Sequence, residues 1–326
     1  MYRIEQLANL CRDKKVYIQT HNFPDPDAIA SAFGVQKLLQ LYGIESTLCY
    51  AGRIDKLSTS KMLQMFHIQM HSYDDLQKQM QETDCIICVD SQKNAGNLTD
   101  FIGQELAVID HHPTFVKAEY QYEDLRIHGA CASMIAEYFA EAGLTPDCDT
   151  ATALLYGIKM DTLQFTRGVT PLDISMFGFL YPLVDHDKIK NIEYNNLEFN
   201  DLRAYGAAIE HIKVYDTAGF SCIPFSCPDA LIATISDFIL SLEEVQLSII
   251  FSYRDDGIKF SVRSEIADIH AGELIHKVLN GLGSGGGHAG MAGGLIPQKN
   301  VAELGEHPQN RIIQLFLDEL ERIKHL

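Results

Sequence analysis

Short apolar stretches alternate with helical patterns along the first half of the chain. The apolar stretches predict strands at Val16–Thr20, Ser46–Tyr50, Cys85–Val89 and Leu106–Ile109. Helical spacing of apolar residues predicts helices at Asp27–Tyr42, Ser72–Met80, Cys131–Ala142, Asp149–Met160 and Leu172–Val184. Strands and helices that alternate in this way are typical of βαβ units. We therefore expect an α/β domain with a parallel sheet and helices on both of its faces.

A polar segment, Asp185–His211, separates this half from the rest of the chain. It is rich in asparagine and contains no glycine or proline before Gly206, which predicts a linker helix. Beyond it, strands follow one another closely, and the turn Arg254–Gly257 joins two of them. Helical stretches lie between these strands, so the pattern predicts a smaller α+β domain. The expected division is a first domain at 1–185, a linker helix at 186–211 and a second domain at 212–326.

Length and charge agree with a two-domain protein that does not bind long nucleic acids. The chain has 326 residues, and single cores stop growing at roughly 250–300 residues. Its formal net charge is −18, from 44 acidic and 26 basic residues. A long duplex is therefore an unfavourable partner, because its phosphate backbone would be repelled. The charge does not exclude small anionic ligands, since local cations can reverse the potential in a cleft.

The sequence predicts a cytoplasmic protein without a membrane partner. Its first fifteen residues have the pattern of an amphipathic helix and lack the features of a signal peptide. The longest apolar run, Met176–Val184, is much shorter than the roughly 18 residues that a membrane span needs. Eight cysteines occur without the spacing of a disulfide framework. Cys85 and Cys88 lie on one predicted strand and should face opposite sides of the sheet as buried thiols.

Acidic and imidazole side chains directly follow three of the predicted strands. These residues are Asp25 and Asp27, then Asp90, then Asp110, His111 and His112. Because ligands of open α/β sheets collect beyond the carboxyl ends of the strands, we expect these side chains to share one edge. Asp161, at the end of a predicted helix, is a further acidic candidate.

Converging carboxylates predict a binuclear metal centre. Unpaired carboxylates in one cleft would each cost several kcal/mol unless cations neutralised them. Oxygen and imidazole donors without thiolates favour Mn²⁺, Mg²⁺, Fe²⁺ or Co²⁺ over a structural zinc ion. The donors outnumber the needs of one ion, and an aspartate can bridge two ions about 3.5–4 Å apart. Pro26 should hold Asp25 extended and leave Asp27 at a helix N-cap, so that the two carboxylates diverge.

Four motifs in this order resemble those of the DHH phosphoesterase family. They are HNFPDPDA, VDS, VIDHHPT and GIKMDT, beginning at His21. The segment Phe260–Gly294, which contains GSGGGH after an arginine on a strand, is similar to the DHH-associated domain of that family. Together these motifs extend from His21 to Gly294. The resemblance implies a catalytic metal-binding domain followed by a substrate-binding domain.

The resemblance also implies a role for each motif residue. His21 and Asp25 would bind one metal ion, and Asp90 would bridge it to a second ion. The second ion would be held by Asp27, His111 and Asp161. The implied catalytic residues are Asp90, His112 and Asp110. His112 would lie beside the scissile phosphate, and Asp110 would orient the histidines. The implied substrate-binding residues are Arg263, Gly285, Gly286, Gly287 and His288.

Some features depart from the family pattern or allow a simpler interpretation. Pro26 stands where many members have glycine, and Ser284 interrupts the glycine run, although neither change removes a ligand. The glycine run could instead form a flexible linker, and Arg263 could be a surface strand residue. The C-terminal helix suits core packing or a subunit contact better than membrane binding. The histidines outside the motifs are expected to be structural or solvent-facing: His67, His71, His128, His186, His211, His270, His276, His307 and His325.

The family branch that these motifs resemble contains nanoRNases and pAp phosphatases. The resemblance implies hydrolysis of short oligoribonucleotides, linear dinucleotides or pAp by a metal-activated hydroxide. Two divalent ions are expected as cofactors, with Mn²⁺ favoured and Mg²⁺, Co²⁺ or Fe²⁺ as alternatives. Cyclic di-AMP hydrolysis and non-catalytic nucleotide sensing are the other two hypotheses. A RecJ-type exonuclease and a pyrophosphatase are disfavoured, and a homodimer is left open.

Overall fold

The computed structural model describes residues 2–54, 57–194 and 197–324. The chain divides into two compact units, Met1–Asn196 and Leu197–Leu326. Each unit has buried apolar clusters of its own on the two faces of its sheet. No helix of the described residues is long and apolar enough to span a membrane.

A parallel sheet forms the centre of the first unit, as the sequence predicted. Within its described residues, six strands lie side by side in the order β3-β2-β1-β4-β5-β6. Every neighbouring pair is parallel. The strands are β1 Val16–Gln19, β2 Ser46–Tyr50, β3 Met70–Ser72, β4 Cys85–Val89, β5 Gln104–Asp110 and β6 Tyr122–Leu125. The order reverses between β1 and β4, and such a switch point is where ligands of open α/β sheets bind.

Helices lie on both faces of this sheet: in the described residues, seven pack into the apolar cluster of one face and a short one, Tyr73–Leu76, into that of the other. They are α1 Arg3–Cys11, α2 Pro26–Leu41, α3 Leu57–Met65, α4 Tyr73–Leu76, α5 Cys131–Glu141, α6 Cys148–Asp161, α7 Pro171–Leu180 and α8 His186–Glu193. Residues of β4 alternate between the two faces: Cys85 lies in one apolar cluster and Cys88 in the other. Both thiols are buried and free, as expected from their spacing.

Several elements differ from the sequence prediction for physical reasons. The helix expected at Leu172–Val184 ends at Leu180 and continues as a 3₁₀ turn, Tyr181–Leu183, where Pro182 lacks an amide hydrogen. The helix expected at Ser72–Met80 is reduced to α4, which begins after the short strand β3. Strands β3 and β6 and helix α3 were not predicted at all.

The segment expected to form one linker helix contains two helices. Helix α8 contributes Ile189 and Ile192 to an apolar cluster of the first unit. Helix α9, Asp201–Glu210, contributes Ala204 and Ala208 to a cluster of the second unit. Residues 195–196 of this segment lie outside the described part of the chain. The domain boundaries at 185 and 212 stay predictions.

The second unit is shorter than the first and consists of a sheet with helices on both faces. In its described residues, six strands follow the order β11-β12-β10-β9-β8-β7, and only β8 and β9 are parallel. The strands are β7 Lys213–Tyr215, β8 Ala218–Ile223, β9 Leu247–Arg254, β10 Gly257–Ser264, β11 Ser284–Gly287 and β12 Met291–Pro297. The remaining helices are α10 Asp229–Leu240, α11 Ala271–Val278 and α12 Pro308–Lys324, with a 3₁₀ segment at Gln298–Leu304.

Helix α12 packs into the core of the second unit. Ile312, Phe316 and Leu320 are buried in the same cluster as strands β8, β9 and β10. Of the two explanations that the sequence allowed for this apolar pattern, core packing therefore accounts for these residues.

Candidate metal centre

The three acidic clusters lie at the carboxyl ends of β1, β4 and β5, which are neighbours in the sheet. Asp25, after β1, is the N-cap of α2, and its Oδ1 accepts hydrogen bonds from the backbone N–H groups of Asp27 and Ala28, both at 3.0 Å. We expected Asp27 at the N-cap, and this expectation was wrong. Pro26 occupies the first helical position, which proline favours, so the cap falls on Asp25.

Two groups of possible metal ligands meet at Asp90. Nε2 of His21 lies 3.6 Å from Oδ2 of Asp90 and 3.8 Å from Oδ1 of Asp25. Nε2 of His111 lies 3.2 Å from Oδ1 of Asp90, 3.2 Å from Oδ2 of Asp161 and 4.0 Å from Oδ2 of Asp27. Asp90 thus presents one oxygen to each group. Its backbone is left-handed, with φ of 57°, a strained conformation that is common at functional sites.

Backbone carbonyls fix the orientation of two histidines. Nδ1 of His21 is 2.8 Å from the carbonyl oxygen of Asn22, and Nδ1 of His111 is 3.0 Å from that of His128. A carbonyl oxygen only accepts, so Nδ1 carries the hydrogen in both rings. In the neutral rings, Nε2 then offers its lone pair to the carboxylate cluster, as in histidines that bind metals.

Asp110 holds the third histidine. Its Oδ1 lies 2.8 Å from Nδ1 of His112 and also accepts the backbone N–H of His111 at 2.9 Å. Oδ2 accepts a hydrogen bond from Nε2 of Gln92 at 2.7 Å. Asp110 is buried, whereas the His112 side chain is 52% exposed. Nε2 of His112 therefore stays available for a group outside the cluster.

The amino end of α5 positions Asp27. Its Oδ2 accepts the N–H of Cys131 at 2.7 Å, and its Oδ1 accepts the N–H of Ala132 at 2.9 Å. The N-terminus of a helix favours a negative charge. Gly157 of α6 faces this carboxylate, because a Cβ there would lie 3.1 Å from Oδ1 of Asp27. The first turn of α5 therefore positions Asp27, and His128, just before α5, positions His111.

The pKa values show an excess of buried negative charge. Burial and the charges of Asp90 and Asp161 raise the pKa of Asp27 well above its ordinary value. Burial also raises the pKa of Asp161, to about 6. Burial alone would lower the pKa of the histidines, but nearby carboxylates outweigh it and raise the pKa of His21 to about 9 and that of His111 to about 11. Divalent cations would remove the repulsion that these shifts reflect.

Two buried atoms support a fit to metal ions. Oδ1 of Asp90 and Nε2 of His111 have no hydrogen-bond partner within the described residues, although they lie 3.2 Å apart. Such orphaned polar atoms are rare in protein interiors. The side chains of His21, Asp25 and Asp90 bring their donor atoms within 4.8 Å of one another, and so do those of Asp27, His111 and Asp161. The donor set therefore fits two cations that share Asp90.

The glycine run of the second unit is an ordered edge strand, so its interpretation as a flexible linker is wrong. Gly285, Gly286 and Gly287 lie on β11, which pairs with β12. A Cβ on Gly287, whose φ is 151°, would lie 2.5 Å from the carbonyl oxygen of Met291. A Cβ on Gly286 would meet no atom within 4 Å. As an edge strand, β11 leaves backbone groups on its outer side without a strand partner.

The other two predicted substrate-binding residues also lie in this sheet. His288 is exposed in the turn after β11, and its N–H donates to the carbonyl oxygen of Met291 at 2.8 Å. Arg263 lies on β10 with a side chain that is only 15% exposed, and its Nε donates to Asp237 at 2.5 Å. Arg263 is therefore largely buried and paired, and does not have the freedom of an ordinary surface arginine.

Comparison with known sequences identifies both units. Residues 15–158 match the DHH family, N-terminal domain, and residues 219–314 match the DHHA1 domain. The chain belongs to the DHH phosphoesterase family. The first match contains all the candidate ligands except Asp161, which lies three residues beyond it. The DHHA1 match contains Arg263, the glycine run and His288.

Relatives and a solved structure show how far the similarity of this DHH protein extends. It is 29% identical over 303 residues to an uncharacterised protein of Methanocaldococcus jannaschii, a match that covers 90% of this chain and 61% of that protein. It is 23% identical over 323 residues to the bifunctional oligoribonuclease and PAP phosphatase of Thermus thermophilus, covering 95% and 92%. An exopolyphosphatase-related protein from Bacteroides fragilis shares the fold, with a TM-score of 0.79, 19% identity and coverage of 99% and 97%.

Sequence reasoning missed two features of the DHH domain. Arg167 donates to both the backbone and the side chain of Asp161, but it lies outside the family motifs. His128, assigned to the structural histidines, supplies the carbonyl oxygen that fixes His111. The only available signal for Arg167 was a cation six residues after a candidate ligand, which is too common to be informative.

Proposed function

We propose that this protein is a two-metal phosphoesterase that hydrolyses short oligoribonucleotides, linear dinucleotides and pAp, with Mn²⁺ as the preferred ion. The position of Asp90 carries the proposal, because its two oxygens face two separate groups of donors. The similarity to the bifunctional oligoribonuclease and PAP phosphatase of Thermus thermophilus supports this substrate class. The strongly acidic chain disfavours long nucleic acids.

The ligand assignment follows the two groups. His21, Asp25 and Asp90 would hold one cation, and Asp27, Asp90, His111 and Asp161 the other. Two bound cations would lower the pKa of a water molecule and neutralise the phosphoryl oxygens. The oxygen of water would form the new bond to phosphorus as the ester P–O bond breaks, and the leaving oxygen would take up a proton to become a hydroxyl group.

His112 would act on the substrate itself. Its hydrogen bond to Asp110 raises the pKa of the imidazole, so His112 stays protonated to a higher pH than a free histidine. With Nδ1 held by Asp110, Nε2 can donate to a phosphoryl or leaving oxygen. Asp110 would fix the ring in the orientation that this requires.

The DHHA1 domain would contribute to substrate binding. The backbone of Gly285, Gly286 and Gly287 would allow close approach of an anion, most freely at Gly286, where a Cβ would meet no atom within 4 Å. His288 is exposed beside this strand. Arg263 would add positive charge, although its Nε already donates to Asp237.

A substrate panel tests the proposal. Purified protein with Mn²⁺ would be incubated with pApA, RNAs of two to five nucleotides, pAp, cyclic di-AMP and pyrophosphate, and products would be separated by ion-exchange chromatography. We expect hydrolysis of the short linear substrates and of pAp. Hydrolysis of cyclic di-AMP alone would favour the cyclic dinucleotide alternative. Binding without product after long incubation would favour a nucleotide sensor.

A further inference from the structure

Arg167 is hydrogen-bonded to the candidate metal ligand Asp161 but is not itself a candidate ligand. Its Nη2 donates to the carbonyl oxygen of Asp161 at 2.7 Å and to Oδ1 of Asp161 at 3.2 Å. The other carboxylate oxygen of Asp161, Oδ2, lies 3.2 Å from Nε2 of His111. The guanidinium is therefore bound to the oxygen that is not paired with His111.

A strained and tightly bonded turn holds Arg167 in this place. Leu163, Gln164 and Phe165 have successive φ values of 46°, 56° and 65°, in the left-handed region that disfavours residues with a Cβ. The N–H of Arg167 donates to the carbonyl oxygen of Thr162 at 2.9 Å. The ring of Phe165 packs edge-on against Phe177 with centroids 5.0 Å apart. These contacts return the chain to Asp161 directly after α6 ends.

The guanidinium keeps free donors. The Arg167 side chain is 44% exposed, and within the described residues its Nε and Nη1 have no hydrogen-bond partner. Arg126, in contrast, uses Nε and Nη2 on Asp124 and Glu137. Within the described residues, Arg167 thus uses fewer of its donors on protein carboxylates than Arg126 does.

The charge of the centre favours a further cation at this position. Five carboxylates surround the centre, and they outnumber the four positive charges that two divalent cations supply. A substrate with more than one phosphate adds further negative charge. Arginine can donate to a carboxylate with one nitrogen and to a phosphate with another, which the compact ammonium of lysine does less well.

We propose that Arg167 binds a phosphate of the substrate other than the one that is cleaved. The scissile phosphate would lie at the donor groups around Asp90, whereas Arg167 lies on the opposite oxygen of Asp161. A short nucleotide with an additional terminal phosphomonoester fits this arrangement. The inference rests on the proposed function and adds a specificity-determining residue from the catalytic domain.

A pair of substrates that differ in one terminal phosphate tests the proposal. Arg167→Gln should raise KM for pApA about tenfold and change KM for ApA less than twofold, because a hydrogen bond to a charged phosphate is lost only in pApA. Arg167→Lys keeps the charge and should recover part of the loss. Arg12→Gln removes an exposed guanidinium of the first unit and should leave both KM values unchanged. An equal loss on both substrates would overturn the proposal.

Two binding measurements separate this inference from the proposed hydrolysis. Calorimetric titration with Mn²⁺ alone should find two bound ions in wild type and in Arg167→Gln. If Arg167 only positioned Asp161, its substitution would change the affinity for Mn²⁺ and would raise KM for pApA and ApA equally. If wild type cleaves neither dinucleotide, calorimetric titration of wild type and Arg167→Gln with pApA and with ApA, in the presence of Mn²⁺, still tests the phosphate contact. Weaker binding of pApA alone in Arg167→Gln would support the phosphate contact without hydrolysis, and unchanged binding of both would refute it.

Discussion

Asp90 is the residue that joins the two halves of the centre, since its two oxygens face different histidines. Asp90→Asn removes the charge and one of the two oxygen donors. We expect kcat for pApA to fall about 10³-fold and the bound Mn²⁺ to fall from two ions to at most one. Steady-state kinetics and equilibrium dialysis would measure these changes.

A matched substitution controls for a general loss of charge. Asp74 is exposed on α4, which follows the edge strand β3, and it belongs to neither group of candidate ligands, so Asp74→Asn should keep wild-type kcat and two bound ions. A kcat for Asp90→Asn equal to that of wild type would remove Asp90 from the assigned bridge.

Motif order predicted which candidate ligands come together, because most of these side chains directly follow a strand of one parallel sheet. It did not predict the cap of α2, where Pro26 shifts the N-cap from Asp27 to Asp25. It also missed Arg167. This residue reaches Asp161 through three consecutive left-handed residues without glycine, a conformation that no periodicity or turn signature indicates.

The prediction of elements was best for three strands in the interior of the first sheet. Strands β1, β2 and β4 were predicted within one residue; β1 and β4 are buried throughout, and β2 is partly buried. Strands β3 and β6 were missed because they lie at the edges of the sheet and carry polar residues. An edge strand of three or four residues depends on pairing with its neighbour, which local sequence does not reveal.

Helix α7 is tied to the metal-binding region through Asp173. Its carboxylate is buried and accepts hydrogen bonds from the backbone of Gly129, from Ser133 and from Thr170. Burial would raise the pKa of Asp173, but these hydrogen bonds outweigh it and lower the pKa below 3.8. Asp173→Asn should reduce the free energy of unfolding at pH 7 by about 2–3 kcal/mol, because an amide nitrogen cannot accept.

The pH dependence has a defined sign. Because the folded-state pKa is lowered, the contribution of Asp173 is full above 3.8 and is lost as pH falls through the folded-state value. The stability difference between wild type and Asp173→Asn should therefore shrink below about pH 4 in denaturant titrations. Ser175→Ala on the exposed side of α7 should change stability by less than about 0.5 kcal/mol. A difference that is constant down to pH 2 would contradict this role.

The glycine strand β11 allows folding and binding to be separated. A Cβ on Gly286 meets nothing within 4 Å, so Gly286→Ala should leave the thermal midpoint nearly unchanged. The added methyl group should still raise KM for pAp several-fold if phosphate approaches the backbone there. Gly287→Ala places a methyl group against Met291 at φ of 151° and should destabilise the protein. A wild-type KM for Gly286→Ala would argue against this strand as a phosphate site.

At the scale of the whole molecule, the two units have separate cores. Apolar clusters of the first unit contain strands β1, β4 and β5, and those of the second contain β8, β9 and β10. The candidate metal ligands all belong to the first unit. Metal binding should therefore stabilise one core and not the other.

Scanning calorimetry measures this asymmetry. We expect two unfolding transitions, of which only that of the first unit rises in temperature with Mn²⁺. At a free Mn²⁺ concentration 100 times the Kd, a site that binds only the folded state contributes about 2.7 kcal/mol. Asp90→Asn should lose most of this shift while the transition of the second unit stays in place. The carboxylates repel one another without cations, so bound cations must stabilise the first unit. If none of Mn²⁺, Mg²⁺, Co²⁺ and Fe²⁺ raised the transition temperature of the first unit in the wild-type protein, the binuclear centre would be ruled out.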